Sequence, residues 1–257
     1  MQKERYEIAE GMIYLIDQEI DLNISEPFTL PSLPGLCERN ISQEELDVIW
    51  SRDSEGRLET AYMKKEGRFH GQHRLFHSSG EVKGDSFYQE GKLHGPSLFF
   101  SENGVVLSST WFYEGVPVGK SRQFYASGSL YSVQRYKKGK LHGKQEYFYE
   151  DLSPKTLLMY NEGELHGPVE LFWPSGQIKR SVFFENGLRK GEDHIWSEKG
   201  LLLDYGNYKE GRPQGKQQKY YSNGVLKEEI IHQDDGKMDR FVWNEKGEFL
   251  REDKDLK

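Results

Sequence analysis

The chain has 257 residues, of which 30% are charged and 35% hydrophobic, and it contains a single cysteine, Cys37. Its net charge of −7 is concentrated in residues 1–50, which hold 3 Lys/Arg and 11 Asp/Glu, whereas the remaining residues hold 32 and 31. A near-neutral remainder speaks against nucleic-acid binding, which normally needs a basic domain. One cysteine excludes an internal disulfide framework, and no apolar stretch has the form of a signal or membrane-spanning segment. We therefore expect a cytoplasmic protein.

Residues 1–46 differ in composition from the rest of the chain. An apolar-acidic stretch covers residues 7–22, and a stretch punctuated by prolines covers residues 27–34. Ser42, followed by two glutamates, has the form of a short helix start. We interpret residues 1–46 as an acidic N-terminal extension that caps the open end of a sheet, since uncovered edges invite aggregation. The alternative is an acidic docking segment.

A phrase of the form Gly-x-x-x-Gly returns every 24 residues. Its first glycines are Gly67, Gly91, Gly115, Gly139, Gly163, Gly187 and Gly211. Another glycine marks the other half of each unit, at Gly56, Gly80, Gly104, Gly128, Gly176, Gly200 and Gly224, and Leu152 stands where one more is due. A fixed period of roughly 20–50 residues is typical of repeat architectures. Because the runs between glycines have the length and composition of strands, we predict two short strands per unit.

The loop lengths predict which side chains share a face of the sheet. Ser78-Ser79-Gly80 suits a three-residue hairpin loop whose last residue is left-handed, so Phe76 should lie opposite Val82. If Gly-x-x-x-Gly is a five-residue loop, the same parity carries into the next hairpin. The result is an aromatic ladder on one face, made of Phe76, Phe100, Phe124, Phe148, Phe172, Trp196 and Tyr220. We expect Tyr88, Phe112, Tyr136, Tyr160, Phe184 and Tyr208 on that same face.

The pattern changes near the C-terminus. Gly236 is offset by one residue from the 24-residue spacing, which is typical of a terminal capping repeat. The last residues are charged and are expected to fray. The predicted fold is therefore all-β, with an N-terminal extension (1–46), an elongated single-layer antiparallel sheet of tandem 24-residue hairpins (47–247) and a charged C-terminal tail (248–257).

The unit Gly-x-Leu-His-Gly, as in residues 91–95 and 139–143, with an aromatic residue five positions after its second glycine, resembles the MORN repeat. It is most similar to the bacterial variant found in YwqK-type antitoxins, over roughly residues 48–247. The resemblance implies a single-layer antiparallel sheet of successive hairpins. It also implies three candidate roles, namely a scaffold for partner proteins, contact with phospholipid membranes, or neutralisation of a cognate toxin. The histidine of the unit is replaced at Val118, Lys190, Gln214 and Asp239, which confines any role of that histidine to part of the array.

The sequence predicts neither catalysis nor a bound metal. His70, His94, His142 and His166 share one repeat position, but equivalent positions in neighbouring hairpins should lie about 10 Å apart. Zinc ligands lie about 2.0–2.1 Å from a common ion, so we interpret these histidines as loop residues that pack on their neighbours. No nucleophile constellation is present, and Gly-x-x-x-Gly lacks the Lys-Ser/Thr of a phosphate-binding loop. We expect no enzyme activity, no catalytic residue, no metal and no cofactor.

The side of the sheet opposite the ladder is the predicted binding face. It carries Tyr125, Tyr149, Trp173 and Tyr221 beside polar residues, a composition enriched at protein interfaces. We therefore expect a non-catalytic scaffold that binds a protein partner through an extended sheet face. One alternative is an antitoxin or immunity protein whose acidic residues 1–50 mimic nucleic acid. The other is peripheral membrane binding, which a near-neutral array disfavours because each basic residue near anionic lipid adds about 1 kcal/mol.

Overall fold

The computed structural model describes residues 4–33, 41–43, 46–233 and 235–256. Within these ranges every regular element is a β-strand except one short 3-10 helix, which confirms the predicted all-β class. Cys37 and the two glutamates after Ser42 lie outside the described residues. The chain divides into two compact units, Met1–Gly143 and Lys144–Lys257, which we call the first and the second unit.

The first unit contains two antiparallel sheets. The small sheet consists of β1 (Glu4–Ala9), β2 (Met12–Asp17) and β3 (Leu22–Pro27), with the 3-10 helix Gln18–Ile20 between the last two. The repeat sheet follows in chain order, with β4 (Ile41–Gln43), β5 (Leu46–Arg52), β6 (Leu58–Lys65), β7 (Arg68–Phe76), β8 (Val82–Gln89), β9 (Lys92–Phe100), β10 (Val106–Tyr113), β11 (Val116–Phe124), β12 (Leu130–Lys137) and β13 (Lys140–Leu141).

The second unit continues the hairpin repeat. Its strands are β14 (Gly143–Phe148), β15 (Pro154–Asn161), β16 (Glu164–Phe172), β17 (Ile178–Glu185), β18 (Leu188–Trp196), β19 (Leu202–Lys209), β20 (Arg212–Tyr220), β21 (Leu226–His232), β22 (Met238–Trp243) and β23 (Phe249–Leu256). From β15 onward each strand pairs antiparallel with the next in the chain. The predicted tandem hairpins are thus confirmed. The expectation that the C-terminal residues fray is wrong, because β23 pairs with β22.

Two kinds of turn connect the strands of each repeat. At Glu66-Gly67 both residues have positive φ angles, of 49° and 76°, which is the signature of a two-residue type I′ hairpin turn. In the other turn, the amide of Gly80 donates to the carbonyl of His77 at 2.9 Å, and Gly80 has φ 90°. Leu152 occupies the same position in its own repeat with φ 68°, a left-handed conformation that is costly for any residue with a Cβ.

The Gly-x-x-x-Gly phrase is not a loop. Its first glycine belongs to the type I′ turn, and the residues that follow are already in a strand, so Gly71 lies inside β7. The register of β6 on β7 shifts between Tyr62 and Lys64, opposite that glycine. The interpretation of the repeated histidines as loop residues is therefore wrong for His70 and His94, which lie in strands. His166 also lies in a strand.

The predicted pairing at the hairpin ends is confirmed, but one prediction about faces is wrong. Phe76 pairs with Val82, and the equivalent pairs are Phe100 with Val106 and Phe124 with Leu130. Next to this pair, Leu75 pairs with Gly84, so β8 contains one extra residue in a β-bulge. That residue inverts the parity, and Tyr88, opposite Gly71, falls on the face away from Phe76. The same correction applies to Phe112, Tyr136, Phe184 and Tyr208, each opposite the second glycine of a repeat.

The small sheet packs on one face of the repeat sheet in the first unit. Ile13, Leu15 and Ile20 are fully buried, and they share a hydrophobic core with Trp111 and Val118 of the repeats. Segment 41–43 instead forms the outermost described strand next to β5, so a helix start at Ser42 is wrong. Among the described residues no helix has the length and apolar character needed to cross a bilayer.

Candidate binding faces of the repeat array

One face of the sheet carries the second glycine of every Gly-x-x-x-Gly phrase, and we call it the glycine face. Its glycines are Gly71, Gly95, Gly119 and Gly143 in the first unit and Gly167, Gly191 and Gly215 in the second. At Gly71, Gly95, Gly143 and Gly167 the side chain eight residues earlier lies within 4 Å of a Cβ built on the glycine, and we call that repeat position the flanking position. A Cβ built at Gly95 would lie 3.6 Å from the Cβ of Phe87, and one built at Gly167 would lie 2.8 Å from that of Met159. The flanking positions are Met63, Phe87, Trp111, Arg135, Met159, Phe183 and Asn207.

In the first unit the N-terminal segment covers the glycine face. Each of the four glycines is approached by one residue of that segment, in the pairs Gly71 with Pro31, Gly95 with Phe28, Gly119 with Tyr6 and Gly143 with Ile20. A Cβ at Gly95 would come within 2.9 Å of the Phe28 ring, and one at Gly143 within 2.7 Å of Ile20 Cγ2. These glycines therefore leave room for side chains that arrive from elsewhere in the chain. Trp111, at a flanking position, is 8% exposed as a result.

Ion pairs join the acidic segment to basic residues of the glycine face. The Nζ atom of Lys120 contacts Glu4, and Arg135 Nε lies 3.2 Å from a carboxylate oxygen of Glu19 and 3.8 Å from one of Asp17. The two cations are almost completely buried, at 8% and 4% exposure. Burying such cations is costly unless they are paired. The acidity of this segment thus matches cations within the same unit.

Three carboxylates of this interface lie close together. Ligand oxygens of Glu4, Asp17 and Glu19 all fall within 4.8 Å of one another, but Arg135 lies among them and supplies the opposite charge. Tyr6 donates its hydroxyl proton to Asp17 Oδ2 at 2.7 Å. Burial, followed by this hydrogen bond, raises the pKa of Tyr6, so its phenol stays protonated. Glu4, Asp17 and Glu19 thus supply the negative charges of the ion pairs that join the N-terminal segment to the repeat sheet.

The repeated histidines are not brought together. His94 is buried beside Glu26, with Nε2 3.4 Å from the carboxylate, and its ring lies 5.1 Å from that of Tyr113. Burial lowers the pKa of His94, and the Glu26 carboxylate opposes that shift. Farther along the chain, Nδ1 of His166 lies 3.2 Å from Asn186 Oδ1. Among the described residues, the only cluster of side chains close enough to share a metal ion is Glu4, Asp17 and Glu19, which contains no histidine.

In the second unit the glycine face is open. No described atom beyond the chain neighbours lies within 4 Å of a Cβ built at Gly191 or Gly215. Phe183, at the flanking position of Gly191, is 41% exposed, and Leu188 is 49% exposed. A cavity of about 380 Å³ lies beside Leu188, between Glu185 and Glu210. The glycine face of this unit thus presents apolar side chains that have no cover within the described residues.

The reverse face of the second unit contains a buried ion pair. Asp193, which pairs with Val182, accepts hydrogen bonds from Arg180 at 2.6 and 2.9 Å and one from Arg189 at 3.3 Å. The hydrogen bond that Arg180 donates to Asp193 is the main cause that raises the pKa of Arg180. Val182 and Asp193 are both buried, so the polar and apolar groups of this pair are satisfied within the unit.

The predicted partner-binding residues connect successive repeats. Tyr149 donates its hydroxyl to the carbonyl of Phe172 at 2.8 Å, and the indole N–H of Trp173 donates to the carbonyl of Trp196 at 3.1 Å. Tyr221 contacts the carbonyl of Trp243 in the same way, at 3.0 Å. Tyr125, the fourth predicted residue, packs against Tyr131 with ring centroids 5.2 Å apart. All four remain partly exposed, so their role in partner binding stays a prediction.

The aromatic ladder is only partly buried. Phe76 is the one ladder residue that counts as buried, and Phe100, Phe124, Phe148, Phe172, Trp196 and Tyr220 are half-buried. The flanking positions were not predicted from the sequence, although the exposure of their side chains differs clearly between the two units. One signal for them was present. Arg135 stands at a position that is apolar in Trp111, Met159 and Phe183, which indicates that this one repeat faces an acidic neighbour.

Comparison with known proteins agrees with the repeat fold. The model of the MORN repeat variant matches residues 117–138, 165–186 and 213–234. No curated protein matches the chain. A crystal structure titled TcdB2-TccC3-Cdc42 shows 12% identity and a TM-score of 0.16 over 77% of this chain, and the Tc holotoxin pore of Photorhabdus luminescens shows 13% identity and a TM-score of 0.17 over the same share.

The chain corresponds to 14% and 13% of the lengths of those two chains. TM-scores this low support no inference about partners or function. The family match is different in kind, because its three segments are spaced 48 residues apart, twice the period of the repeat, and each covers one hairpin with the turn that contains Gly128, Gly176 or Gly224. These three segments of the array are therefore similar to the MORN repeat variant.

Proposed function

We propose that this protein is a non-catalytic, cytoplasmic scaffold that binds a partner protein through the glycine face of its second unit. The observation that carries the proposal is the contrast between two residues at one repeat position. Trp111 is covered by the N-terminal segment and 8% exposed, whereas Phe183 is 41% exposed beside the open Gly191. Exposed aromatic side chains that can enter a close-fitting interface are typical of binding surfaces.

The first unit supplies an example of how such a face is occupied. There, side chains such as Phe28 and Ile20 reach the sheet at glycines, where no Cβ stands in the way. The second unit differs at the repeat position of Lys120, because Pro168 and Glu192 stand there, and the lysines at that position, Lys144 and Lys216, have side chains that are 43% and 59% exposed. We therefore expect the partner segment that contacts Phe183 to be mainly apolar.

Affinity capture from the native host, quantified by mass spectrometry, tests this proposal. Phe183→Lys should lose a partner that the wild-type protein retains, while Leu201→Lys should keep it, because Leu201 is equally exposed (39%) but lies in a hairpin loop. Trp173→Ala examines the face predicted from the sequence. A partner lost with Trp173→Ala but kept with Phe183→Lys would reject the glycine face in favour of that one.

Two narrower roles are proposals of the same kind. Neutralisation of a cognate toxin rests on the resemblance to YwqK-type antitoxins, and co-expression with toxin-like reading frames from the native host would test it by survival. Peripheral membrane binding rests on the MORN resemblance alone. Co-sedimentation with liposomes that contain phosphatidylserine, compared with neutral liposomes, would test it, and equal recovery in both would reject it.

A further inference from the structure

An open groove lies in the first unit between the small sheet and the turns of the repeat sheet. It encloses about 500 Å³, within the range of roughly 300–1,000 Å³ that is usual for ligand sites. Its apolar floor is formed by Leu22, Ile24, Tyr113, Val116 and Val118. Val116 is 41% exposed, so apolar surface is open to solvent here.

One wall of the groove is the free edge of a strand. Within the described residues β3 is hydrogen-bonded to β2 alone and forms the border of the small sheet. The amide of Phe28 donates to the carbonyl of Gly11 at 2.7 Å, directly beyond the pair Met12 with Pro27. In an antiparallel ladder, residue pairs that are hydrogen-bonded to each other alternate with residue pairs that are not. The peptide groups of alternate residues of β3 therefore point away from β2.

The alternation identifies which residues offer their backbone to a partner. Leu22, Ile24 and Glu26 bond toward β2, so Asn23 and Ser25 direct their N–H and C=O groups to the open side. Pro27 also faces that side but has no N–H to donate. Unpaired edges of this kind accept an additional strand in many peptide-binding domains.

The opposite wall carries an unusual turn. Lys138 occupies the first position of the type I′ turn, where the other repeats carry Glu66, Glu90, Glu114, Glu162, Asn186 and Glu210. Lys137 lies beside it, paired with the fully exposed Asp21 at 3.2 Å, and Lys140 follows the turn. Glu114 also lines the groove, on the neighbouring turn. A ligand would thus meet cations at one turn and a carboxylate at the other.

We propose that this groove binds an extended peptide segment of a partner protein, which adds as a strand to the edge of β3. Its alternate apolar side chains fill the groove, and an acidic side chain at one end lies over Lys138. This site is separate from the glycine face of the second unit, so it stands or falls independently of the proposed scaffold function.

Fluorescence polarisation with labelled peptides tests the site in the full-length protein. The probes are two capped hexapeptides that alternate valine and threonine and carry a glutamate at opposite ends. We expect saturable binding of at least one of them. Ser25→Pro removes the edge N–H but leaves the bonds to β2, and it should weaken binding about fivefold, the effect of one lost hydrogen bond. Ser25→Ala is the matched control and should bind like the wild type.

A second pair of variants lies outside β3, so its effect on binding does not depend on how Ser25→Pro affects the folding of that strand. Val116→Lys obstructs the groove from the repeat sheet and should weaken the same peptide, whereas Phe183→Lys should leave it unchanged. Lys138→Glu should weaken it, and a peptide with lysine in place of glutamate should then regain affinity. Absence of saturable binding to the wild type, or equal affinity for Ser25→Pro and Ser25→Ala, would overturn the proposal.

Discussion

Phe28 packs edge-on against Phe87, with ring centroids 5.4 Å apart and ring planes at 71° to each other. The contact joins the N-terminal segment to the glycine face of the first unit. Phe183 has the same repeat position as Phe87 but is 41% exposed. A single repeat sequence thus yields both a covered and an open surface, and the difference between them arises from the segment that precedes the array.

The glycines of the covered face should be less tolerant of a methyl group than those of the open face. Gly119 and Gly215 have nearly equal φ angles, 64° and 65°, but a Cβ at Gly119 would overlap Tyr6. Gly215→Ala should cost only the left-handed conformation, about 1 kcal/mol. Gly119→Ala should lose a further 1–3 kcal/mol, roughly, through overpacking. Urea unfolding measures both changes, and equal losses would show that the segment does not press on Gly119.

Leu152→Gly should stabilise the protein. Leu152 is left-handed, with φ 68°, and its side chain is 55% exposed, so little packing is lost when it is removed. Relief of the left-handed strain outweighs the entropy of glycine by roughly 0.5–1 kcal/mol. The rise should be visible as a higher Tm in calorimetry. Gly176→Leu makes the reverse change at the equivalent position, φ 82°, and should lower the Tm.

Tyr149 and Tyr221 should contribute to stability whether or not they bind a partner. Each hydroxyl donates to a backbone carbonyl of the following repeat, and Phe keeps the ring while removing that donor. Tyr149→Phe and Tyr221→Phe should each cost about 1 kcal/mol in the free energy of unfolding. Because the two sites share no partner, the losses should add in the double variant. Unchanged denaturant midpoints would assign these residues to surface recognition alone.

Stability should fall as the pH drops from 7.5 to 5.5, with His94 as one cause. Burial lowers its pKa below the value of 6.5 that the unfolded chain has, so the unfolded state binds the proton more readily in this range. The contribution of neutral His94 to the free energy of unfolding is complete above pH 6.5. It is lost as the pH falls toward the pKa that His94 has in the folded state. His94→Gln should flatten the profile measured by urea unfolding.

Burial also lowers the pKa of His73, so this histidine adds a contribution of the same sign. His73→Gln therefore serves as the comparison for His94→Gln, and the two flattening effects should be separable. A His94→Gln profile parallel to that of the wild type would mean that its burial does not affect protonation.

The repeat and its hairpins could be predicted because their determinants are local. A glycine such as Gly80 marks a left-handed residue, and this one constraint places Phe76 opposite Val82. The assignment of Tyr88 to a face failed for an equally physical reason. A β-bulge adds one residue without any change in the loop, so counting loop residues cannot reveal it.

The cover of the first unit could not be predicted from the same pattern. Glu4 and Lys120 are 116 residues apart in the chain, and no periodicity relates them. The sequence shows an acidic segment and, separately, basic residues such as Arg135 at repeat positions that are mostly apolar in the other units. Only their three-dimensional pairing shows that these charges are matched to each other within one unit.

The pairing of four N-terminal residues with four successive glycines has a consequence for how the chain can change its length. Duplication of one 24-residue unit between Gly71 and Gly143 would separate Ile20 or Tyr6 from its glycine, and the described part of the segment has no fifth residue that approaches a glycine. Duplication between Gly191 and Gly215 would disturb no such contact, because both positions are open. Homologous chains should therefore differ in the number of repeats in the second unit while the first keeps a constant number.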